Sequence, residues 1–190
     1  MIDCSERTDF LMSLLSVKNL HVCFRTHAGV VHALRGVDID LYAGDIIGIV
    51  GESGCGKTVT ASAVMGIIPS PPGEIVDGEV LFEGQNLFKL SEPELRKLRG
   101  NAISMIFQDP MTSLNPVLTI GAQLIEPFTL HQKLSDAEAR GRAIELLHLV
   151  GLSDPAARLR QYPHQLSGGM RQRVMIAVSL ACNPRLLFAD

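Results

Sequence analysis

The pattern of apolar and polar residues in the first part of the chain predicts a β hairpin followed by a buried strand. Apolar residues dominate residues 14–24 and alternate with polar ones towards the end of residues 30–41, as in strands with one buried face. A turn over residues 26–29 separates the two segments. Residues 46–50 form a short, continuous apolar run, which is typical of a strand buried on both faces. The hairpin is therefore expected to lead into an interior strand.

The remainder of the chain alternates helical and strand-like patterns. In order, it predicts a helix over residues 58–65, strands over 79–82 and 103–107, a helical block over 109–165, a helix over 168–181 and a strand over 186–190. Within the helical block, Ser135 and Glu138 have the spacing of a capping box at a helix start. Strand–loop–helix units with a helical block between them predict an α/β core with a helical insertion.

Composition excludes several classes of protein. The 190 residues are 46% hydrophobic, which is enough for a core, and the formal charge is 17 − 20 = −3. This near-neutral balance argues against a nucleic-acid partner held by a broad basic face. The four cysteines form no C-x-x-C pair, so neither a disulfide framework nor a zinc site is expected. No apolar run approaches the ~20 residues that a membrane-spanning helix needs.

Residues 51–58, Gly-Glu-Ser-Gly-Cys-Gly-Lys-Thr, match the phosphate-loop pattern G-x-x-x-x-G-K-[ST]. Glycines let several backbone amides turn towards one anion, and the N-terminus of the following helix adds partial positive charge. Lys57 is expected to reach the β- and γ-phosphates of a nucleotide, and the Thr58 hydroxyl to bind Mg²⁺. Cys55 is expected to contribute its backbone amide. The predicted nucleotide-binding residues are Gly51, Glu52, Ser53, Gly54, Cys55, Gly56, Lys57 and Thr58.

A second motif follows more than one hundred residues later, where residues 166–173 read Leu-Ser-Gly-Gly-Met-Arg-Gln-Arg. Alone, Ser-Gly-Gly could be a turn or a helix cap, because serine is a good N-cap. Together with the phosphate loop it resembles the LSGGQ signature of the ATP-binding-cassette ATPases, with Met170 in place of glutamine. The resemblance extends over nearly the whole chain, from about Leu14 onward.

This resemblance implies roles for further residues. Gln108 stands where the family has its Q-loop glutamine, and Asp190 ends the strand that matches Walker B. Lys57, Gln108 and Asp190 are then the expected catalytic residues, and Thr58, Gln108 and Asp190 the expected Mg²⁺ site. Phe24 stands where the family places an aromatic residue that stacks on adenine. A core residue at a strand end is an equally good interpretation of Phe24, because stacking requires only a flat ring.

The fold implied by the resemblance is a P-loop NTPase (RecA-like) α/β core with an N-terminal antiparallel β subdomain and an inserted α-helical subdomain. We predict that residues 14–108 and 174–190 form the nucleotide-binding core with the β subdomain. Residues 109–173 would form the helical subdomain, which ends in the signature motif. Residues 1–13 are expected to be a loose leader.

The resemblance also implies partners, with ATP and Mg²⁺ as the bound cofactors. In this family two cassettes close head to tail around two ATP molecules, so Ser167, Gly168 and Gly169 would contact the nucleotide of a second ATPase subunit in trans. Two integral-membrane permease subunits and, indirectly, a substrate-binding protein are expected, with the chain peripheral on the cytoplasmic face of the cell membrane. Residues 107–116 and 161–166 are closest to the branch that imports dipeptides, oligopeptides or nickel. An ATPase subunit of a peptide importer is therefore the leading interpretation.

Three alternatives stay open. The first is an importer of nickel or another small solute from the same branch. The second is a soluble cassette protein of repair or translation, although such proteins usually carry two cassettes or long insertions. The third is a nucleotide-binding fragment that cannot hydrolyse ATP, because the family glutamate after the Walker B aspartate would be position 191. The resemblance predicts that the chain is incomplete at its C-terminus and inactive alone, and that the strand between the phosphate-loop and Walker B strands is missing.

Overall fold

The computed structural model describes residues 12–109 and 113–190. The chain divides into two compact units, Met1–Leu95 and Arg96–Asp190. Most of the predicted leader over residues 1–13 lies outside the described residues, and so does the middle of the 107–116 motif. The predicted boundaries of the core and of the helical subdomain stay a prediction.

The first unit contains a four-stranded antiparallel sheet in the order β2-β1-β3-β4. The predicted hairpin is confirmed, since Thr26 pairs with Gly29 across the turn. The third strand is longer than its pattern predicted, because pairing with β1 extends it to Gly73. The elements of this unit are β1 Leu15–Thr26, β2 Gly29–Leu41, α1 Lys57–Val64, β3 Gly73–Phe82 and β4 Gln85–Asn86.

Aliphatic side chains from the sheet and from α1 make up the buried part of this unit. Burying each such side chain contributes about 1.5–3 kcal/mol, so the set supplies much of the stability of the sheet. The helix is buried along one side, which holds the loop that precedes it against the sheet. The most deeply buried residues are Leu15, Val17, Leu20, Val22, Val80 and Phe82 on the strands and Ala63 and Val64 on the helix.

The interior strand predicted over residues 46–50 is not formed. Ile46 and Val50 are 99% and 95% exposed, and Ile47 and Ile49 are about half exposed. Among the described residues, β1 to β4 pair with one another and the two strands of the second unit pair with each other, which leaves no strand beside this segment. A strand buried on both faces needs hydrogen-bonded neighbours for its amides and carbonyls. The apolar pattern is therefore present without the pairing that would bury it.

The second unit combines a small parallel sheet with a group of helices. α2 Glu92–Leu98 leads into it from the first unit, and β5 Ile103–Ile106 pairs in parallel with β6 Leu186–Ala189. The predicted helical block is confirmed. None of the described helices has the length and apolar character needed to cross a bilayer. The remaining helices are α3 Ile120–His131, α4 Asp136–Leu149, α5 Pro155–Arg158 and α6 Gly168–Leu180.

One apolar cluster joins α3, α4 and α6. Leu124 and Phe128 contribute from α3 and Leu147 contributes from α4, all of them buried. α6 adds Val174, and its Ser179 Oγ donates to the carbonyl of Met105 on β5 at 3.0 Å. The helix that carries the signature motif is thus packed on the helical block and also tied to the parallel sheet.

The predicted capping box begins α4. The backbone N–H of Ser135 donates to the Glu138 carboxylate at 3.0 Å, and Ser135 Oγ accepts from the Glu138 N–H at 3.5 Å. Ser135 Oγ also donates to the Glu138 carboxylate at 2.6 Å, and this hydrogen bond, together with the one from the Ser135 backbone N–H, lowers the pKa of Glu138 below its ordinary value. The start of the helix is therefore set by local sequence.

We predict that Ile46→Ala in this chain changes the free energy of unfolding by less than about 0.5 kcal/mol, because the Ile46 side chain is almost fully exposed. Leu20→Ala is the matched control, since Leu20 has 0% exposure and its truncation should cost about 2–5 kcal/mol. Urea unfolding followed by circular dichroism measures both. Equal losses for the two variants would show that residues 46–50 are buried in solution.

Candidate functional site

The loop over residues 51–56 owes its shape to two glycines in the left-handed region. Gly54 has φ 82° and Gly56 has φ 100°, angles that other residues adopt only at a cost. Between them, the Cys55 N–H donates to the Glu52 carbonyl at 3.2 Å, which closes a tight turn. The loop therefore curls back on itself immediately before α1.

Lys57 holds this turn closed. Its Nζ donates to the carbonyls of Gly51 and Glu52 at 2.8 Å each and lies 3.4 Å from Cys55 Sγ. The side chain thus folds back over the loop instead of extending into solvent. Its three N–H donors all point at the loop, so a bound phosphate would take the place of at least one of these acceptors.

The N-terminus of α1 opens at the same place. Gly56 is the N-cap, no side chain caps the helix, and the first turn has no acidic residue. The partial positive charge of the helix end is therefore not offset by a local side chain. Thr58 is exposed in this first turn. The glycine-rich backbone of the loop, the N-terminus of α1 and the Lys57 ammonium together fit a polyphosphate group. A polyphosphate is also the ligand that the sequence predicts for these residues.

The antiparallel sheet supports the loop from one side. A Cβ on Gly56 would lie 2.7 Å from Leu34 Cδ2 and 3.0 Å from the Ala33 carbonyl, so β2 contacts the loop there. Phe24 pairs with Val31 on β2, two residues before Ala33. Phe24 is therefore on the part of the sheet that lies near the loop, as its predicted role requires.

Phe24 is also part of the packing of the sheet. Its ring is partly buried, and a Cβ on its strand partner Gly73 would lie 3.1 Å from the ring. Both interpretations of this residue, as a core residue and as a base-stacking residue, therefore have structural support.

In the second unit, Gln108 and Asp190 lie at the same edge of the parallel sheet. Ile106 pairs with Ala189, and the Asp190 N–H donates to the Ile106 carbonyl at 3.0 Å. Gln108 follows two residues after Ile106, and both site residues are exposed. The carboxyl edge of parallel strands is where open α/β sheets bind ligands. The structure therefore brings these two predicted residues together.

The signature motif forms the N-terminus of α6, as predicted. Ser167 is the N-cap and its Oγ accepts from the Met170 N–H at 3.4 Å. Gly168 and Gly169 are exposed, and a Cβ on either would meet no described residue within 4 Å. Packing among residues 12–109 and 113–190 therefore does not require glycine at these two positions.

The predicted site residues divide between the two units. Phe24 and the phosphate loop with Thr58 belong to the first unit, whereas Gln108, Asp190 and the residues around Ser167 belong to the second.

The structure also shows contacts that sequence reasoning did not predict. Arg171, one turn into α6, donates from Nε to the carbonyls of Pro163 and Leu166. The sequence signal that could have indicated this contact is an arginine four residues after the N-cap Ser167.

Comparison with known proteins extends this description. The family described as "ABC transporter" matches residues 34–190. The chain is 54% identical over 177 residues to a dipeptide transport ATP-binding protein of Bacillus subtilis. This alignment covers 93% of the chain and 53% of that protein. It is equally similar to an oligopeptide transport ATP-binding protein of the same organism, over 93% of the chain and 49% of that protein. The chain spans about half the length of these relatives.

Solved structures agree with the sequence relatives. An ATP-binding cassette determined as a dimer in a post-hydrolysis state with ADP and Pi superimposes with a TM-score of 0.82 at 30% identity. The match covers 93% of this chain and 73% of that one. The predicted P-loop NTPase fold is therefore confirmed. The family match extends over residues 34–190, which is well over half of the chain, and the chain therefore belongs to the ABC transporter family.

Proposed function

We propose that this chain binds ATP and forms the ATP-hydrolysing part of a subunit that powers a peptide importer. The observation that carries the proposal is the closed loop before α1, with Lys57 Nζ donating to two loop carbonyls at an uncapped helix end. Family membership and the names of the relatives, which are dipeptide and oligopeptide transport proteins, support it.

In this proposal the first unit holds the nucleotide. The amides of residues 51–58 and the N-terminus of α1 bind the phosphates, and Lys57 Nζ neutralises charge on the β- and γ-phosphates. Phe24 stacks on the base from the neighbouring sheet. Because phosphoryl transfer depends mainly on positioning and on charge stabilisation, a rigid loop of this kind is suited to it.

The proposal includes Mg²⁺, which when bound neutralises charge on the phosphate oxygens. Residues 12–109 and 113–190 contain no cluster of three His, Cys, Asp or Glu residues that could hold a metal ion. This fits Mg²⁺, which binds through one or two protein oxygens together with substrate phosphates and water. Thr58, Gln108 and Asp190 offer the hydroxyl, amide and carboxylate oxygens that such an ion accepts, and their joint use stays a prediction.

The signature motif would serve the nucleotide of a second ATPase subunit. Among the described residues nothing lies within 4 Å of a Cβ added at Gly168 or Gly169, which leaves room for the close approach of another molecule. Ser167 caps a helix whose amides point outward, and such a helix end favours an anion. One of the similar structures is a dimer, which supports a pair of ATPase subunits, and their head-to-tail arrangement is part of the proposal.

The remaining parts of the assembly follow from the importer proposal. Two integral-membrane permease subunits would receive the force of the ATPase pair, and a substrate-binding protein would supply the peptide to them. The subunit would then be peripheral on the cytoplasmic face of the membrane. We further propose residues 109–173 as the helical subdomain, which the buried cluster of α3 and α4 supports.

Lys57→Ala in the full-length protein should abolish tight ATP binding. An ammonium about 4 Å from a phosphate charge gains on the order of 4 kcal/mol at an effective dielectric constant of 20. Titration calorimetry measures the affinity, and Lys89→Ala, an exposed lysine of the same unit, is the matched control. A Lys57→Ala variant that binds ATP as tightly as the control would contradict the assignment of the loop.

Ser167→Arg should leave ATP binding by a single subunit intact and block ATP-driven dimerisation, because Ser167 is assigned to the partner's nucleotide. Sedimentation with a non-hydrolysable ATP analogue measures the dimer. Ser153→Arg, at an exposed serine of the same unit, adds the same bulk and charge and should still dimerise. Loss of ATP binding by the monomeric Ser167→Arg variant would refute the trans assignment.

Transport can be measured in cells that lack the gene. The full-length protein should restore uptake of labelled dipeptides and oligopeptides, whereas its Lys57→Ala variant should not, because transport requires ATP binding. Nickel uptake is measured in the same cells and compared with peptide uptake. Restored nickel uptake without restored peptide uptake would replace the peptide proposal with the alternative importer of the same branch.

A further inference from the structure

Arg171 connects α6 to the turn that precedes the signature motif. Its Nε donates to the Pro163 carbonyl at 2.7 Å and to the Leu166 carbonyl at 3.0 Å. The Pro163 carbonyl belongs to the first residue of the short 3₁₀ turn Pro163–Gln165, and Leu166 follows that turn and precedes the N-cap Ser167. A charged donor makes shorter and stronger hydrogen bonds than a neutral one, so this contact is a firm link.

The side-chain hydrogen bonds of Arg171 lie on the N-terminal side of Ser167. The Leu166 carbonyl belongs to the peptide bond that joins Leu166 to Ser167, so its orientation sets the direction in which Ser167 enters the helix. On the other side, the Arg171 N–H donates to the Ser167 carbonyl at 2.9 Å. This backbone bond is the ordinary i→i−4 bond of the helix, which any residue at position 171 would make, so the restraint specific to the Arg171 side chain acts on the backbone before Ser167.

The cap of the helix is weaker than this restraint. Ser167 Oγ and the Met170 nitrogen are 3.4 Å apart, near the long limit for a hydrogen bond, whereas the Arg171 contact to Pro163 measures 2.7 Å. The serine side chain alone does not hold the entry to α6 in place. The guanidinium contact is the shorter and charge-assisted of the two, so we expect it to dominate.

The rest of the turn is already ordered. The Tyr162 N–H donates to Gln165 Oε1 at 2.8 Å, and the rings of Tyr162 and His164 stack with centroids 5.7 Å apart. Leu166 is 3% exposed and belongs to the helical core. Arg171 thus links α6 to a turn that is fixed to the body of the unit.

Arg173 provides an internal comparison on the same helix. Its Nη1 donates to the Gly151 carbonyl at 2.8 Å and lies 3.4 Å from the Val150 carbonyl. These carbonyls lie at the C-terminal end of α4, where a cation is favourable. Arg173 therefore joins two helices, and its bonds lie away from the turn before Ser167.

We propose that Arg171 is a positioning residue, which orients Ser167 and the α6 N-terminus towards the γ-phosphate bound by the partner subunit. The inference rests on the proposed function, since it assumes that the signature motif acts in trans. Arg171 itself does not touch the nucleotide. Its removal leaves the phosphate loop unchanged and loosens the geometry in which Ser167 meets the phosphate.

The test compares Arg171→Met with Arg173→Met in the full-length protein, because both variants replace one arginine of α6 by a flexible apolar side chain. Arg171→Met should keep the wild-type Kd for ATP in the monomer. Its affinity for the ATP-driven dimer should fall about tenfold, the effect of one charge-assisted hydrogen bond. The kcat at saturating ATP should fall with it, whereas KM should stay near the wild-type value. Arg173→Met should lower Tm at least as much and retain the dimer affinity.

Arg171→Lys retains the charge but lacks the Nε–H that makes both hydrogen bonds, so its dimer affinity should lie between those of the wild type and Arg171→Met. Wild-type dimerisation by Arg171→Met would overturn the inference, and so would an equal loss in Arg173→Met. If Arg171→Met does not fold, Arg171→Gln is judged by the same criterion. A wild-type protein that binds ATP but never dimerises would overturn the trans role of the signature motif, and the inference with it.

Discussion

The proposed phosphate site depends on one constraint, the left-handed backbone of Gly54 and Gly56. Only with those angles can the loop curl so that Lys57 Nζ reaches the carbonyls of Gly51 and Glu52. The same curl leaves the N-terminus of α1 without a side-chain cap. Anion affinity here is therefore a property of backbone geometry, to which the lysine adds its charge.

The signature helix uses the same physics with different supports. Neither helix has an acidic residue in its first turn, but α1 is preceded by glycines and α6 by a serine cap and an arginine link. Nothing in the packing of the described part of the chain requires Gly168 or Gly169 to lack a side chain. A site assembled from two such helix ends on different subunits would account for both, and it would make ATP the link between the subunits.

Local sequence predicted the elements whose signals lie within a few residues of one another. The hairpin at Thr26, the capping box at Ser135 and the cap at Ser167 were each confirmed. The full length of β3 was not predicted, because its first residues lack an alternating pattern and become a strand only by pairing with β1. The strand expected over residues 46–50 was wrong for the same physical reason, since its pattern indicates burial but no described strand pairs with it.

The sequence by itself determined the chemistry of the candidate site: a glycine-rich loop with Lys57, a polar residue after each of two strands, and a serine before a helix. These follow from residue type and short spacing, which a single chain segment carries. Tertiary structure alone decided that Gln108 and Asp190 share one sheet edge and that Arg171 holds the turn before Ser167. Such contacts depend on strand pairing and helix packing between distant segments, and burial of an apolar run such as residues 46–50 depends on them as well.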